Sequence, residues 1–154
     1  MTDDESEGDR LRRNVNELLQ ELRVAQAGVQ ILFGFLLAVT FTESYERATG
    51  FQQMVHLITV LLAVLAIALF TAPAAWHRVL FRQGRRDLIV DSANTFAIVG
   101  LATLALAVSG TVLLLTDVII GQPAAAILAA ITAVGFATLW FAVPARHRRG
   151  GDGA

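Results

Sequence analysis

The sequence predicts an all-α protein, a four-helix transmembrane bundle whose first helix is extended into the cytoplasm. Three observations support this prediction. Four runs without an ionisable side chain are each close to or above the roughly 20 residues that a membrane helix needs. Hydrophobic residues form 55% of the 154-residue chain and charged residues only 16%, unlike the composition of soluble domains. The charges are concentrated in the segments that connect the runs.

The four predicted spans are residues 24–42, 57–76, 93–116 and 123–145. An acidic tail at residues 1–9, which we expect to be disordered, precedes the membrane domain of residues 10–145. The N-terminus has no basic segment followed by an apolar run, the pattern of a cleaved signal peptide, so the first span is expected to remain as an anchor. A basic, glycine-rich tail at residues 146–154 follows the last span.

The basic residues indicate the orientation of these spans. The chain has twelve basic residues, all of them arginine, and only Arg47 lies on the side opposite to the others. Because short cytoplasmic segments of membrane proteins are enriched in Lys and Arg, we expect both termini and the loop at residues 77–92 to be cytoplasmic. The predicted location is the plasma membrane of the cell, with several crossings of the bilayer.

Two stripes at helical spacing lie on nearly opposite faces of the first helix. One is leucine-rich: Leu11, Val15, Leu18, Leu22, Ala25, Val29, Leu32, Leu36 and Val39. The other is small and polar: Asn16, Gln20, Arg23, Ala27, Gln30, Gly34 and Ala38. We expect the small and polar stripe to face protein inside the membrane. A glutamine amide in lipid would lack a hydrogen-bond partner, and glycine allows another backbone to come close.

The part of the leucine stripe below the membrane also needs cover. One interpretation is an amphipathic helix that lies on the membrane surface or against the basic loop. The other is a short parallel coiled coil between two subunits. The sequence leaves both open.

Matching residues also recur at an offset of 71 positions, which suggests an internal repeat. Gly50 corresponds to Gly121, Phe70 to Phe141 and Pro73 to Pro144. Such a repeat would relate two helical hairpins by a pseudo-two-fold axis along the membrane normal. Chance matches in an alanine-rich membrane protein are the alternative.

The stretches NELLQELRVAQAGVQILFGFLLAVTF at residues 16–41 and TAPAAWHRVLFR at residues 71–82 resemble a family of small membrane proteins of unknown function, found mainly in high-GC bacteria. The resemblance implies four spans and assigns no activity or functional residue. Members of that family sometimes carry the label of a sodium:proton antiporter. The chain is also similar in size and number of spans to the small multidrug transporters.

Both kinds of ion-coupled transport require a carboxylate within the membrane. The acidic residues near the predicted spans all lie at span ends: Glu43, Glu46, Asp87, Asp91 and Asp117. The first span carries Gln26 and Gln30 where the multidrug transporters place a glutamate, and an amide does not titrate. The sequence therefore argues against proton exchange.

The sequence contains no recognisable catalytic or metal-binding motif. It has no cysteine, and its three histidines, His56, His77 and His147, have no metal-ligand spacing. We expect ordinary histidines at the membrane interface. We predict that the chain is not an enzyme, needs no cofactor and does not bind nucleic acid.

The candidate functional residues form two groups. An intramembrane polar face consists of Arg23, Gln26 and Gln30, where the glutamines either bond other helices or line a pocket. Contacts with lipid headgroups are expected from Arg78, Arg82, Arg85 and Arg86. Small residues in span three (Gly100 and Gly110) and span four (Ala126, Ala129, Ala130, Ala133 and Ala137) are expected to form close-packing faces.

These residues favour an integral membrane protein that acts through association with itself, with lipid or with another membrane protein. Its expected partners are the lipid bilayer and, as an open alternative, further copies in a homo-oligomer; no specific protein partner is indicated. A small oligomeric transporter is the competing interpretation. Its pathway would be lined by Gln26, Gln30, Thr40 and Thr59.

Overall fold

A computed structural model describes residues 7–80 and 86–150, and within them the chain is helical with no β-strand. The long helices are α1 (Glu7–Val39), α3 (Gly50–Leu80), α4 (Arg86–Ile119) and α5 (Gln122–Ala137). The short elements are α2 (Glu43–Glu46), a π-helical segment (Thr138–Ala142) and α6 (Val143–Gly150).

Within residues 7–80 and 86–150, four helices are long and apolar enough to cross a membrane, as predicted. Their candidate spans are Gln20–Val39, Gly50–Trp76, Ser92–Ile119 and Gln122–Arg146. The protein is therefore a multi-pass membrane protein.

The helices extend beyond the predicted spans. Helix α3 continues to Leu80 and α4 starts at Arg86, so most of the expected loop at residues 77–92 is helical. At the ends of the chain, α1 starts at Glu7 and α6 reaches Gly150, inside the segments expected to be tails. Residues 1–6 and 151–154 lie outside the described part of the chain. Helix α1 is continuous over 33 residues, and the extension of its first turns into the cytoplasm stays a prediction.

Helices α3 and α4 form the central antiparallel pair. Going along α3, Gln52 meets Asp117, Thr59 meets Gly110, and Phe70 meets Gly100. Trp76 then meets Phe96, with ring centroids 5.1 Å apart. As the residue number rises along α3, the number of the residue it contacts on α4 thus falls by a similar amount, as expected for antiparallel helices. The small residues predicted in span three are confirmed as the places where α3 comes close.

Helix α1 packs mainly on α3, and α5 packs on α4, so the order of contacts is α1, α3, α4, α5. A two-fold axis that related the two predicted hairpins would superpose α1 on α4 and α3 on α5. It would therefore make α1 pack on α5 as extensively as α3 packs on α4. Among the described residues no such α1–α5 interface exists. The contacts of the bundle therefore lack the pseudo-two-fold symmetry that the 71-residue offset suggested.

The two prolines that the offset aligns have different surroundings. Pro73 is buried within α3, which stays helical through it. Pro144 is exposed and follows the π-helical segment, in which the N–H of Val143 bonds the carbonyl of Thr138. A proline ring clashes with the carbonyl four residues earlier, and wider π-type bonding relieves this crowding. We attribute the π-helical segment to Pro144.

Candidate functional site

The α1 strip, which is the small and polar face predicted from the sequence, points away from the bundle. All of its described members are exposed: Gln20, Arg23, Ala27, Gln30, Gly34 and Ala38. Apart from its chain neighbours and the backbone of its own helix, a Cβ atom on Gly34 would have no atom within 4 Å. The expectation that this face packs against protein is therefore wrong for the single chain.

The leucine-rich face of α1 takes the position in the core instead. Leu22, Val29 and Leu36 are buried in one cluster with Ala63 and Ala66 of α3. The physical reason is complementarity of size: branched side chains from α1 fit the space that two alanines leave on α3. Of the leucines below the candidate span, the side chains of Leu11 and Leu18 lie outside the described part. Their cover stays a prediction.

Gln30 and Gln26 differ in their surroundings. Gln30 is exposed near the middle of the candidate span Gln20–Val39, whereas Gln26 is half-buried. Neither side chain has a hydrogen-bond partner among the residues that the structure describes. A primary amide carries two donors and two acceptor lone pairs. In the hydrocarbon region, lipid offers the exposed amide of Gln30 no hydrogen-bond partner.

The predicted headgroup contacts are only partly described. Arg23 and Arg78 are exposed and lie near the ends of the first two candidate spans. Arg86 begins α4, and Arg82 and Arg85 lie outside the described residues. The structure brings Arg23, Arg78 and Arg86 to the same end of the bundle, which we term the arginine-rich end.

A polar cluster at the opposite end joins α2, α3 and α4, and it was not among the residues predicted from the sequence. The N–H of Thr49 donates to Oε1 of Gln52 at 3.0 Å, and the N–H of Gln52 donates to Oγ1 of Thr49 at 3.2 Å. This is a capping box at the start of α3. Nε2 of Gln52 also donates to Oδ2 of Asp117 at 2.8 Å, so the same side chain ties α3 to α4.

His56 lies one helical turn after Gln52. Its side chain is only 4% exposed, and its Nε2 has no hydrogen-bond partner among the described residues. The ring of Tyr45 packs edge-on against it, with centroids 5.0 Å apart. His56 is thus buried within the bundle, and its place at the membrane interface stays a prediction. Two signals could have found this cluster: the Thr-x-x-Gln pattern, and the spacing of Gln52, His56 and Thr59 on one face.

The remaining candidate residues do not assemble a reactive centre within the described part of the chain. No group of three or more His, Asp or Glu side chains there could hold a metal ion. Thr59 is buried and donates to the carbonyl of Val55 at 2.7 Å. Thr40 donates to the carbonyl of Leu37 at 2.7 Å. Both hydroxyls thus donate to their own helix, and Thr59 faces α4 rather than a pathway.

The small-residue face predicted in span four is only partly covered by the rest of the chain. Ala125 is the buried residue of α5, whereas Ala126, Ala130 and Ala137 are exposed and Ala129 and Ala133 are half-buried. Helix α5 therefore packs on α4 through a neighbouring face.

Comparison with known proteins agrees with this architecture and adds no activity. Residues 4–144 match a family described as "Family of unknown function (DUF6328)". The comparisons with curated proteins and with solved structures give no match.

Proposed function

Because the chain belongs to the family of unknown function DUF6328, no activity comes with its family, and we propose a function from the site itself. The protein is a non-catalytic integral membrane protein that acts by lateral association in the bilayer. It associates with other membrane helices through α1 and with lipid headgroups through its arginines.

The α1 strip carries this proposal. A helix face that meets only lipid has no use for an amide, because hydrocarbon offers no hydrogen-bond partner. Yet Gln30 is exposed near mid-span, and the exposed Gly34 follows one turn later. Small residues beside a polar side chain are typical of contacts between membrane helices, where they allow close approach and interhelical hydrogen bonds.

The arginine-rich end supports the lipid part of the proposal. Exposed Arg23 and Arg78 lie near the ends of candidate spans. Each arginine near an anionic membrane surface contributes about 1 kcal/mol of attraction. With Arg82 and Arg85 between α3 and α4 in the sequence, and Arg86 at the start of α4, this end would face the anionic cytoplasmic leaflet of a bacterial plasma membrane. Both termini would then be cytoplasmic.

Photocrosslinking in native membranes tests the association. The chain has no lysine, so a photoreactive residue is the better probe than an amine-reactive reagent. We expect the probe at Ala27, on the α1 strip, to form an adduct with protein. The same probe at Gly28, which is exposed on a different side of the helix, serves as the matched control and should react with lipid. Lipid adducts alone at both positions would contradict the proposal.

A permeation pathway between several copies is the second candidate, favoured by the outward position of Gln30. Of the four proposed lining residues, Thr40 and Thr59 donate hydrogen bonds to carbonyls of the preceding helical turn, whereas the two glutamines have no such bond in the described chain. Because Gln30 points away from the bundle, a pathway lined by it would have to form between subunits. Flux into proteoliposomes that is lost in Gln30→Leu, with the oligomer retained, would support this candidate. Flux that is equal in both proteins would exclude Gln30 as lining.

A further inference from the structure

We propose that the α1 strip is a homodimerisation surface, on which Gln30 of one copy pairs with the same residue of a second copy of this chain. The inference rests on the proposed function, in which α1 associates within the bilayer, and names the partner. Its starting point is an exposed amide near the middle of the candidate span Gln20–Val39.

The chemistry of the amide favours a second copy as the occupant. Two copies inserted with the same orientation place Gln30 at the same depth. Each amide can then donate an N–H to the carbonyl oxygen of the other, so that donors and acceptors are matched. A two-fold axis along the membrane normal makes the surface complementary to itself, as the commonest dimers require.

The backbone next to Gln30 permits this pairing. Gly34 and Ala38 follow at four-residue steps, and both are exposed. Exposed Ile31 and Phe35 border the strip on one side, so the small residues form a groove beside a ridge. Two helices that present such a surface approach closely, as small-xxx-small pairs do in membranes.

Charge does not oppose the pairing within the bilayer. No ionisable side chain occurs from Val24 to Thr42. Arg23 lies at the edge of the strip, where a long side chain extends to the headgroups, and the surrounding water and lipid phosphate weaken repulsion between two copies.

An exposed face of α5 that also carries small residues, among them Ala126 and Ala130, offers a poorer match. Thr132 of α5 would lie at about the same depth in the membrane as Gln30. The number of residues between Thr132 and the start of α5 is similar to the number between Gln30 and the end of α1. Its hydroxyl already donates to the carbonyl of Leu128 at 2.8 Å. It could accept an N–H from Gln30, but the carbonyl oxygen of Gln30 would stay unpaired. A contact of α1 with α5 of the next copy is therefore disfavoured.

Disulfide crosslinking of the protein in membranes tests the inference, because the chain has no cysteine. We compare Gly34→Cys with Gly28→Cys. Both glycines have open space around a built Cβ, and six residues of helix place them about 120° apart. A disulfide requires Cα atoms within about 7 Å. We expect Gly34→Cys to give a covalent dimer on oxidation and Gly28→Cys to give less than about a tenth as much.

A measurement of affinity tests the role of the amide. Fluorescence energy transfer between labelled copies in vesicles, diluted stepwise with lipid, gives the dissociation constant. Gln30→Leu should raise it by about three- to tenfold, the effect of losing two interhelical hydrogen bonds. Gln30→Asn keeps an amide and should recover most of the affinity. An unchanged constant in Gln30→Leu would overturn the inference.

The other crosslinking outcomes separate this inference from the proposed function. A dimer that forms equally through Gly28→Cys, or one that requires Gly34→Cys in one copy and Thr132→Cys in the other, would overturn the α1–α1 pairing. Monomers throughout, together with photoadducts from Ala27 to a different membrane protein, would also overturn it but keep the proposed lateral association. Monomers and lipid adducts alone would overturn both.

Discussion

Glycine has two opposite roles in this protein, and the neighbouring atoms decide between them. At Gly100 a Cβ would lie 2.6 Å from Cε1 of Phe70, and at Gly110 it would overlap Oγ1 of Thr59. Phe70 and Thr59 are themselves buried, so they have little room to move. Gly28 and Gly34 have no such neighbour. The first pair is needed for the contact of α3 with α4, whereas the second pair is not needed for the fold of one chain.

Four alanine substitutions test this distinction at the residue scale. Gly100→Ala and Gly110→Ala should each lower the free energy of unfolding by about 1–3 kcal/mol, because overpacking forces neighbours from their positions. Gly28→Ala and Gly34→Ala should leave it unchanged or raise it by up to about 1 kcal/mol, because alanine restricts the unfolded chain and favours the helix. Unfolding in mixed detergent micelles at high dilution measures all four. Equal effects in both pairs would contradict the structure.

Helix α1 shows that a helical pattern defines faces without saying what covers each of them. The two stripes lie on opposite faces, as predicted. The rule that small and polar faces pack against protein would have buried the α1 strip. Instead α3 presents Ala63 and Ala66, and this small surface accommodates the large side chains of α1. The rule can still hold for the assembled protein, in which case the strip is covered by a second copy.

Adjacent leucines on α1 test this assignment at the scale of the element. Leu36 is 3% exposed and Leu37 is 46% exposed. Leu36→Ala should cost about 1–2 kcal/mol of unfolding free energy. That is the contribution of the cavity alone, because lipid is as apolar as the core and the transfer contribution is small. Leu37→Ala should cost about 0.3 kcal/mol or less by the same reasoning. The reverse order in a detergent unfolding experiment would mean that α1 packs through its other face.

At the scale of the whole molecule, the contacts run in order along the chain from α1 to α5, and the two outer helices each lack a neighbour on one side. Large apolar side chains cover the outside of these helices, among them Val24, Ile127 and Ile131. Lipid is the natural solvent for such a surface. Near the middle of the candidate spans, the hydroxyls of Thr103 and Thr132 donate to carbonyls of their own helices. Gln30 differs from them, because its exposed amide has no hydrogen-bond partner among the described residues, and this residue motivates both proposals.

Cysteine labelling tests the proposed orientation of the whole molecule. Because the natural chain lacks cysteine, single substitutions at exposed Glu46 and Arg146 can be compared without background. A membrane-impermeant maleimide added to intact cells should label Glu46→Cys, and it should label Arg146→Cys only after permeabilisation. Labelling of Arg146→Cys in intact cells would refute the proposed cytoplasmic termini.

The sequence alone was enough to predict the four spans, the opposite stripes of α1 and the small residues of span three. It could do so because these depend on the hydrophobicity, spacing and volume of residues in one segment. It did not predict which face of α1 is buried, the lack of two-fold symmetry, the burial of His56, or the bridge from Gln52 to Asp117. These features are visible only in the folded bundle, because each depends on which side chains a distant helix presents at the point of contact.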